Sequence, residues 1–266
     1  MPYRLVFRLK LMLWLKLANM QHTSPPTWLT ERPIAHRGLH KAGTDRVENS
    51  IPAIKAAIAA GFAIEVDVQL TKDMGVVVIH DRTLKRLTGI SGYLPDMTLE
   101  KVTAIEITGS NSCIPSLQML LDLVAGQVPL FIELKVVRED DPNALPAAMI
   151  DSLRAYSGPL AVMSFHPRAI KWFKENAPEI PRGMVLEESK ARFKLNMGLR
   201  RMKYCKIAGA QFVAHDIKSL PNLFSKRWRK AGRPLVSWTV NTQELEKKAA
   251  KYADQPIFEI PAIVGE

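Results

Sequence analysis

Four short stretches of this 266-residue chain gather ionisable side chains at the ends of apolar runs: Ala35-His36-Arg37-Gly38, Glu65-Val66-Asp67, His80-Asp81 and Glu133-Leu134-Lys135. Glu65 and Asp67 are two positions apart, as are Glu133 and Lys135, so on a strand each pair shares one face. Their neighbours Ile64, Val66, Val68, Ile132 and Leu134 are apolar and belong to the opposite face. A buried carboxylate is costly unless it is paired or coordinated. Glu65, Asp67 and Glu133 together would repel one another, and a hard divalent cation such as Mg²⁺ or Ca²⁺, which takes oxygen ligands, is the simplest relief. The competing arrangement is a set of salt bridges from Arg37 and Lys135, in which two cations face three acids. His36 and His80 are the candidate proton carriers, because imidazole titrates near neutral pH. Arg37 and Lys135 offer fixed positive charge to a phosphate, the first as a planar fork and the second as a point charge. His22, His40, His166 and His215 lack comparable surroundings, although His215 closes an apolar run.

Elements that could bring these stretches together are legible in the pattern. Nine strand candidates alternate with helical periodicity from Pro33 onward: Pro33–Arg37, Ala63–Leu70, Val76–His80, Pro129–Leu134, Leu160–Phe165, Gly183–Leu186, Gln211–Ala214, Leu235–Val240 and Pro256–Ile260. Repeated βα units imply a parallel sheet. The second and third candidates are joined only by Thr71-Lys72-Asp73-Met74-Gly75, whereas parallel neighbours need a crossover of about a dozen residues. Val76–His80 must therefore return antiparallel, as a hairpin arm after the second strand. Eight staves remain, the number of a TIM (β/α)8 barrel, whose catalytic groups gather at the C-terminal strand ends. The run Ile51–Ala60, closed by Gly61, fits an intervening helix capped by Asn49 or Ser50.

Composition bounds the rest. An apolar fraction of 47% with 24% charged residues is that of an ordinary globular chain, not a disordered one. Cys113 and Cys205 form no CxxC or Cys/His spacing, which supports neither a disulfide framework nor a thiolate zinc site and fits a reducing, cytoplasmic setting. The net charge of +11 is uneven: thirteen Lys or Arg face a single acid, Asp216, between Lys190 and Arg233. Such a block attracts phosphate in some form or serves as a solvated face. Residues 1–30 read as a basic, apolar N-terminal segment and linker, with the enzyme-like domain spanning 31–266. The apolar run Leu11–Leu15 has five residues between Lys10 and Lys16, far short of the ~20 that span a bilayer and too interrupted for a signal peptide. This segment can make peripheral contact with an anionic membrane, or cover the bottom of the barrel. HTSPPT (22–27) reads as the linker.

Taken together, HRG at 36–38, ENS at 48–50, ExD at 65–67 and HD at 80–81 resemble the signature of the glycerophosphodiester phosphodiesterase family. IPSLQMLLDLV (114–124), FIELK (131–135), MSFHP (163–167) and SWTVN (237–241) extend the resemblance over roughly residues 33–241. It implies a TIM barrel that hydrolyses a small-molecule glycerophosphodiester to glycerol 3-phosphate and an alcohol. By position it implies one divalent metal on Glu65, Asp67 and Glu133, an acid/base pair in His36 and His80, and phosphate contacts from Arg37 and Lys135. Glu48 and Asn49 would organise the mouth, and Trp238 would line the substrate pocket or serve as core. Many members end in a GIITDYP-like strand, where this chain has Phe258-Glu259-Ile260, with Glu259 as a substitute at that rim.

Two other functions compete. A lysophospholipase D-like activity would use the same site with the N-terminal segment at a bilayer, and a non-catalytic phosphate- or headgroup-binding protein would keep the pocket without turnover. Nucleic acid is not an expected partner, because Phe193, Tyr204, Phe212, Phe224 and Trp228 form no stacking module.

Overall fold

A computed structural model describes residues 25–187 and 197–259. The basic segment 1–20 with its membrane contact, the first half of HTSPPT, Lys190 and Ile260 lie outside the described residues.

All nine expected strands form, within a few residues at their ends: β1 (Ile34–Ala35), β2 (Ala63–Leu70), β3 (Val76–Val78), β4 (Leu130–Leu134), β5 (Leu160–Ser164), β6 (Arg182–Leu186), β7 (Phe212–Asp216), β8 (Leu235–Val240) and β9 (Gln255–Phe258). Every strand except β3 is parallel to its neighbours, in the order β1, β9, β8, β7, β6, β5, β4, β2. The ring closes because β1 pairs on both sides, Ile34 with Ala63 of β2 and with Ile257 of β9. The result is a TIM barrel. β3 lies outside the ring, antiparallel to the last three residues of β2 in the register Val68↔Val78, Gln69↔Val77, Leu70↔Val76. It occupies the β2 edge that β1 leaves free after Ala35. Strand β1 is shorter than its sequence suggests because the backbone turns at Arg37 (φ 54°) and Gly38 (φ 79°). A Cβ on Gly38 would sit 2.9 Å from the Ala53 carbonyl carbon, so only glycine fits that approach.

Nine α-helices lie among the described residues: α1 (Ile51–Ala59), α2 (Lys85–Thr88), α3 (Leu99–Thr103), α4 (Leu117–Val124), α5 (Ala144–Ala155), α6 (Pro167–Asn176), α7 (Met197–Ala208), α8 (Leu223–Lys230) and α9 (Gln243–Tyr252). Ser50 caps α1, its hydroxyl accepting from the Ala53 N–H at 3.3 Å. Asn49 is thereby free for a different role at the site. The pleat sorts side chains as expected: Ile64, Val66, Val68, Ile132 and Leu134 pack outward among the helices. Inside, Ile34, Ala63, Phe131, Ala161, Phe212, Val236 and Ile257 fill the lower barrel. Phe131 and Phe212 meet edge-on at 5.8 Å. Thr27–Thr30 forms a 3-10 turn that seals the bottom, with Leu29 fully buried and Trp28 edge-on to Phe131 at 5.7 Å. Trp28 and Leu29, just past the 22–27 linker, thus pack with the barrel. The excursion between β3 and α4 carries α2 and α3 over a small core of its own, including Val77, Ile79, Leu84, Leu94, Val102 and Ile114.

Candidate active site

The inward face switches from apolar to charged toward the C-terminal strand ends. β2 and β4 are adjacent with Asp67 paired to Glu133. Oxygens of Glu65, Asp67 and Glu133 lie within 4.8 Å of one another, and the three residues are 1%, 0% and 6% exposed. Lys135 Nζ reaches Asp67 Oδ1 at 2.8 Å and Glu133 Oε1 at 2.6 Å, while Arg37 Nε lies 3.1 Å from Asp67 Oδ2. Arg37 and Lys135 thus stand in ion-pair contact with Asp67 and Glu133, whereas Glu65 has no Lys or Arg side chain at that distance among the described residues. Glu65 Oε2 accepts from the Arg37 backbone N–H at 3.1 Å, but its buried Oε1 has no partner.

Charge follows this geometry. Burial and then the neighbouring charges of Asp67 and Glu133 push the Glu65 carboxyl well above the ordinary carboxylate range. Glu133 is also raised, by burial and by Asp67, with Lys135 opposing. At Asp67 burial is outweighed by Lys135 and Arg37, which hold the carboxyl well below its ordinary value. A buried carboxylate oxygen without a donor, among oxygens converging on one point, is the donor set of a hard divalent cation. These residues fit such an ion.

Asn49 braces the cluster from β2's flank. Its left-handed backbone (φ 58°) aims the side chain at Asp67, where Nδ2 donates to Oδ2 at 3.0 Å and Oδ1 accepts from the Asp67 N–H at 3.3 Å. Glu48 accepts from Arg37 Nη1 at 2.8 Å and from Arg86 Nη2 at 2.7 Å. Asn49 thus bonds an acid of the cluster, and Glu48 bonds two arginines.

The two histidines approach from different directions. His36, at the end of β1, has Nδ1 2.8 Å from Glu259 Oε1 and Nε2 3.8 Å from Glu65 Oε2. Burial lowers its pKa from the ordinary value near 6.5, and the Glu259 hydrogen bond offsets part of that. His80, beyond β3, has Nδ1 2.7 Å from Asp81 Oδ1. His36, Arg37, Glu65, His80, Glu133 and Lys135 line one pocket of about 230 Å³. Its far wall is Met163, Phe165, Glu187 and Trp238. Trp238 stands edge-on to Phe165 at 5.6 Å and anchors its indole N–H on the Ala214 carbonyl at 3.1 Å. Phe165 is 42% exposed.

Every candidate site residue converges on this rim, and several residues not singled out join it. His40, set aside on sequence grounds, has Nε2 3.7 Å from the Glu259 oxygen that also meets His36. Arg86, Phe165 and Glu187 carried no spacing signal of their own. His215 belongs elsewhere. It points outward from β7, fully buried against Phe224, with Nε2 3.2 Å from Asn222 Nδ2. Burial lowers its pKa to about 4, as for a neutral packing histidine. Phe224 and Trp228 are likewise buried, stacked at 5.6 Å. Cys113 and Cys205 are both free. No helix among the described residues is long and apolar enough to cross a membrane.

Comparison with known proteins places this geometry. The model of the glycerophosphoryl diester phosphodiesterase family matches residues 36–258. A Bacillus subtilis (strain 168) protein, provisionally named a glycerophosphodiester phosphodiesterase, is 32% identical over 231 residues, covering 82% of this chain and 88% of its own. The glycerophosphodiester phosphodiesterase of Caldanaerobacter subterraneus subsp. tengcongensis is 29% identical over 223 residues, covering 79% and 86% respectively. Among solved structures, a phosphodiesterase of Oleispira antarctica in complex with the product sn-glycerol-3-phosphate superposes with a TM-score of 0.74. Its identity is 21%, over 87% of this chain and 93% of that one.

Proposed function

This chain belongs to the glycerophosphoryl diester phosphodiesterase family of phosphoric diester hydrolases, and from that premise we propose that it hydrolyses glycerophosphodiesters to sn-glycerol 3-phosphate and an alcohol with one divalent ion and two histidines. Glu65, Asp67 and Glu133 hold the ion, which is Mg²⁺ or Ca²⁺. The observation that carries this reading is the convergence of three buried carboxylates within 4.8 Å, one of them with an oxygen lacking any donor.

When bound, the ion supplies Lewis-acid polarisation of a phosphate oxygen. The remaining chemistry belongs to side chains. Arg37 and Lys135, both lining the pocket, fix the phosphate between the acids and the aromatic wall. His36 and His80 serve as the acid/base pair, one taking the proton of the attacking hydroxyl and the other protonating the departing alkoxide. The phosphorus–oxygen bond to the alcohol breaks, and an oxygen derived from water completes the phosphate monoester. Met163, Phe165 and Trp238 offer apolar surface to the part of the substrate beyond the phosphate. The Oleispira antarctica relative's complex with sn-glycerol-3-phosphate supports that product.

Release of glycerol 3-phosphate from glycerophosphocholine tests this reading, with and without EDTA and with Mg²⁺ or Ca²⁺ restored. Turnover that EDTA abolishes and one of the two ions restores is expected. Undiminished turnover in EDTA would remove the metal, and faster turnover of a lysophospholipid would move the substrate to the membrane.

A further inference from the structure

We infer that Arg86 is a positioning residue, tying the loop that carries His80 to the rim that carries His36 and Arg37. It lies on α2, in the excursion outside the barrel, and nothing in its sequence neighbourhood marks it. Yet each of its three guanidinium nitrogens is engaged. Nε donates to Asp81 Oδ2, Nη1 to Glu48 Oε2 at 2.9 Å and Nη2 to Glu48 Oε1 at 2.7 Å.

What matters is where those two acids lead. Asp81 Oδ1 stands 2.7 Å from His80 Nδ1. Glu48 Oε1 also accepts from Arg37 Nη1 at 2.8 Å, and Arg37 Nε reaches Asp67 at 3.1 Å. One unbroken chain of charge-assisted contacts thus runs Asp67, Arg37, Glu48, Arg86, Asp81, His80. Among the described residues, the side chain of Asp81 is held by His80 and Arg86, and that of Glu48 by Arg37 and Arg86. Arg86 is the link between the two halves. The main chain at His80 is already fixed by β2, the Ile79 N–H donating to the Asp67 carbonyl at 3.0 Å and Gln69 Nε2 to the His80 carbonyl at 2.7 Å, so what Arg86 sets, through Asp81, is the orientation of the imidazole. A planar fork suits that geometry, since two donors grip one carboxylate while the third, at a fixed angle, grips the other. A lysine ammonium at the same place has the charge and lacks the spread. The Arg86 side chain is 47% exposed, so its direct electrostatic effect on the reaction is weak and its part is geometric.

The inference rests on His80 acting as an acid–base group. The experiment compares wild type, Arg86→Lys, Arg86→Ala, Asp81→Asn, the Arg86→Ala/Asp81→Asn double variant and His80→Ala. The substrate is whichever of glycerophosphocholine, glycerophosphoethanolamine and glycerophosphoglycerol is cleaved fastest, at saturating metal. Arg86→Ala and Arg86→Lys are both expected to lower kcat by about 10–100-fold, the usual effect of losing a group that orients an active-site side chain. KM should stay within about threefold and the melting temperature within a few degrees of wild type. The double variant should lose little more than the worse single, because both break one chain. Wild-type kcat in Arg86→Ala, full recovery in Arg86→Lys, or multiplicative losses in the double variant would each overturn the tie. An inactive His80→Ala beside an unimpaired Arg86→Ala would sink the tie alone, whereas an active His80→Ala would sink the acid–base reading beneath it.

Discussion

His36 Nδ1 stands 2.8 Å from Glu259 Oε1, across 223 positions of sequence. The contact exists because β1 and β9 close the ring, Ala35 beside Phe258, so that the residues immediately beyond both strands meet at the rim. It directs His36 Nε2 toward Glu65 and the pocket, as a carboxylate behind a histidine does in acid–base sites generally. The two imidazoles of His36 and His40 in turn hold the Glu259 carboxyl well below its ordinary value, so it is ionised wherever the enzyme would work. Glu259→Gln is expected to lower kcat about tenfold with KM little changed, measured by steady-state kinetics. A wild-type kcat would leave Glu259 no part in orienting His36.

His36→Ala and His80→Ala should each reduce kcat by ~10²–10⁴-fold, the range for loss of a general acid or base. Thermal unfolding should show both variants folded. Wild-type turnover in either would remove that residue from the acid/base pair.

Glu65→Gln separates metal binding from folding. Without an ion, Glu65 lies beside two other buried acids and has an oxygen with no donor. A group whose folded pKa is raised contributes fully below its unfolded value near 4.5 and loses that contribution as pH rises through the folded pKa. At pH 7, above the unfolded value, keeping this carboxyl buried is therefore a cost to the metal-free fold. In EDTA, Glu65→Gln is expected to be more stable than wild type by about 1 kcal/mol or more, which corresponds to ~2–4 °C in Tm. With Mg²⁺ or Ca²⁺ its affinity for the ion should fall, read by titration calorimetry. Equal stability in EDTA together with unchanged ion affinity would refute the assignment.

His215 makes a pH prediction away from the site. Its pKa falls from an ordinary 6.5 to about 4 in the fold. Above pH 6.5 it is neutral folded or unfolded and contributes no difference. As pH drops from 6.5 toward 4, the unfolded chain takes up a proton that the buried ring resists, at about 1.4 kcal/mol per pH unit. Over that window this one group should cost about 3 kcal/mol of stability. Urea unfolding of His215→Gln should show a correspondingly shallower decline than wild type, and parallel declines would show that the ring takes up its proton freely in the fold.

Much of this molecule is legible along the chain because its signals are local. Alternation of apolar and charged positions in 63–70 and 130–135 identifies the faces of β2 and β4, and five residues between Leu70 and Val76 are too few for a parallel crossover, so β3 had to return. The acids, the two histidines and the Arg37 and Lys135 cations all carry spacing or motif signals of that kind. His40, Arg86 and Glu187 carry none, since nothing in a residue's own neighbourhood says which distant strand end it will face. Only ring closure put Glu259 behind His36. Only the docking of the excursion put Arg86 between Glu48 and Asp81. Periodicity determined which side chains point inward; which of them touch was decided by strand order and register, which depend on contacts between residues far apart in the chain.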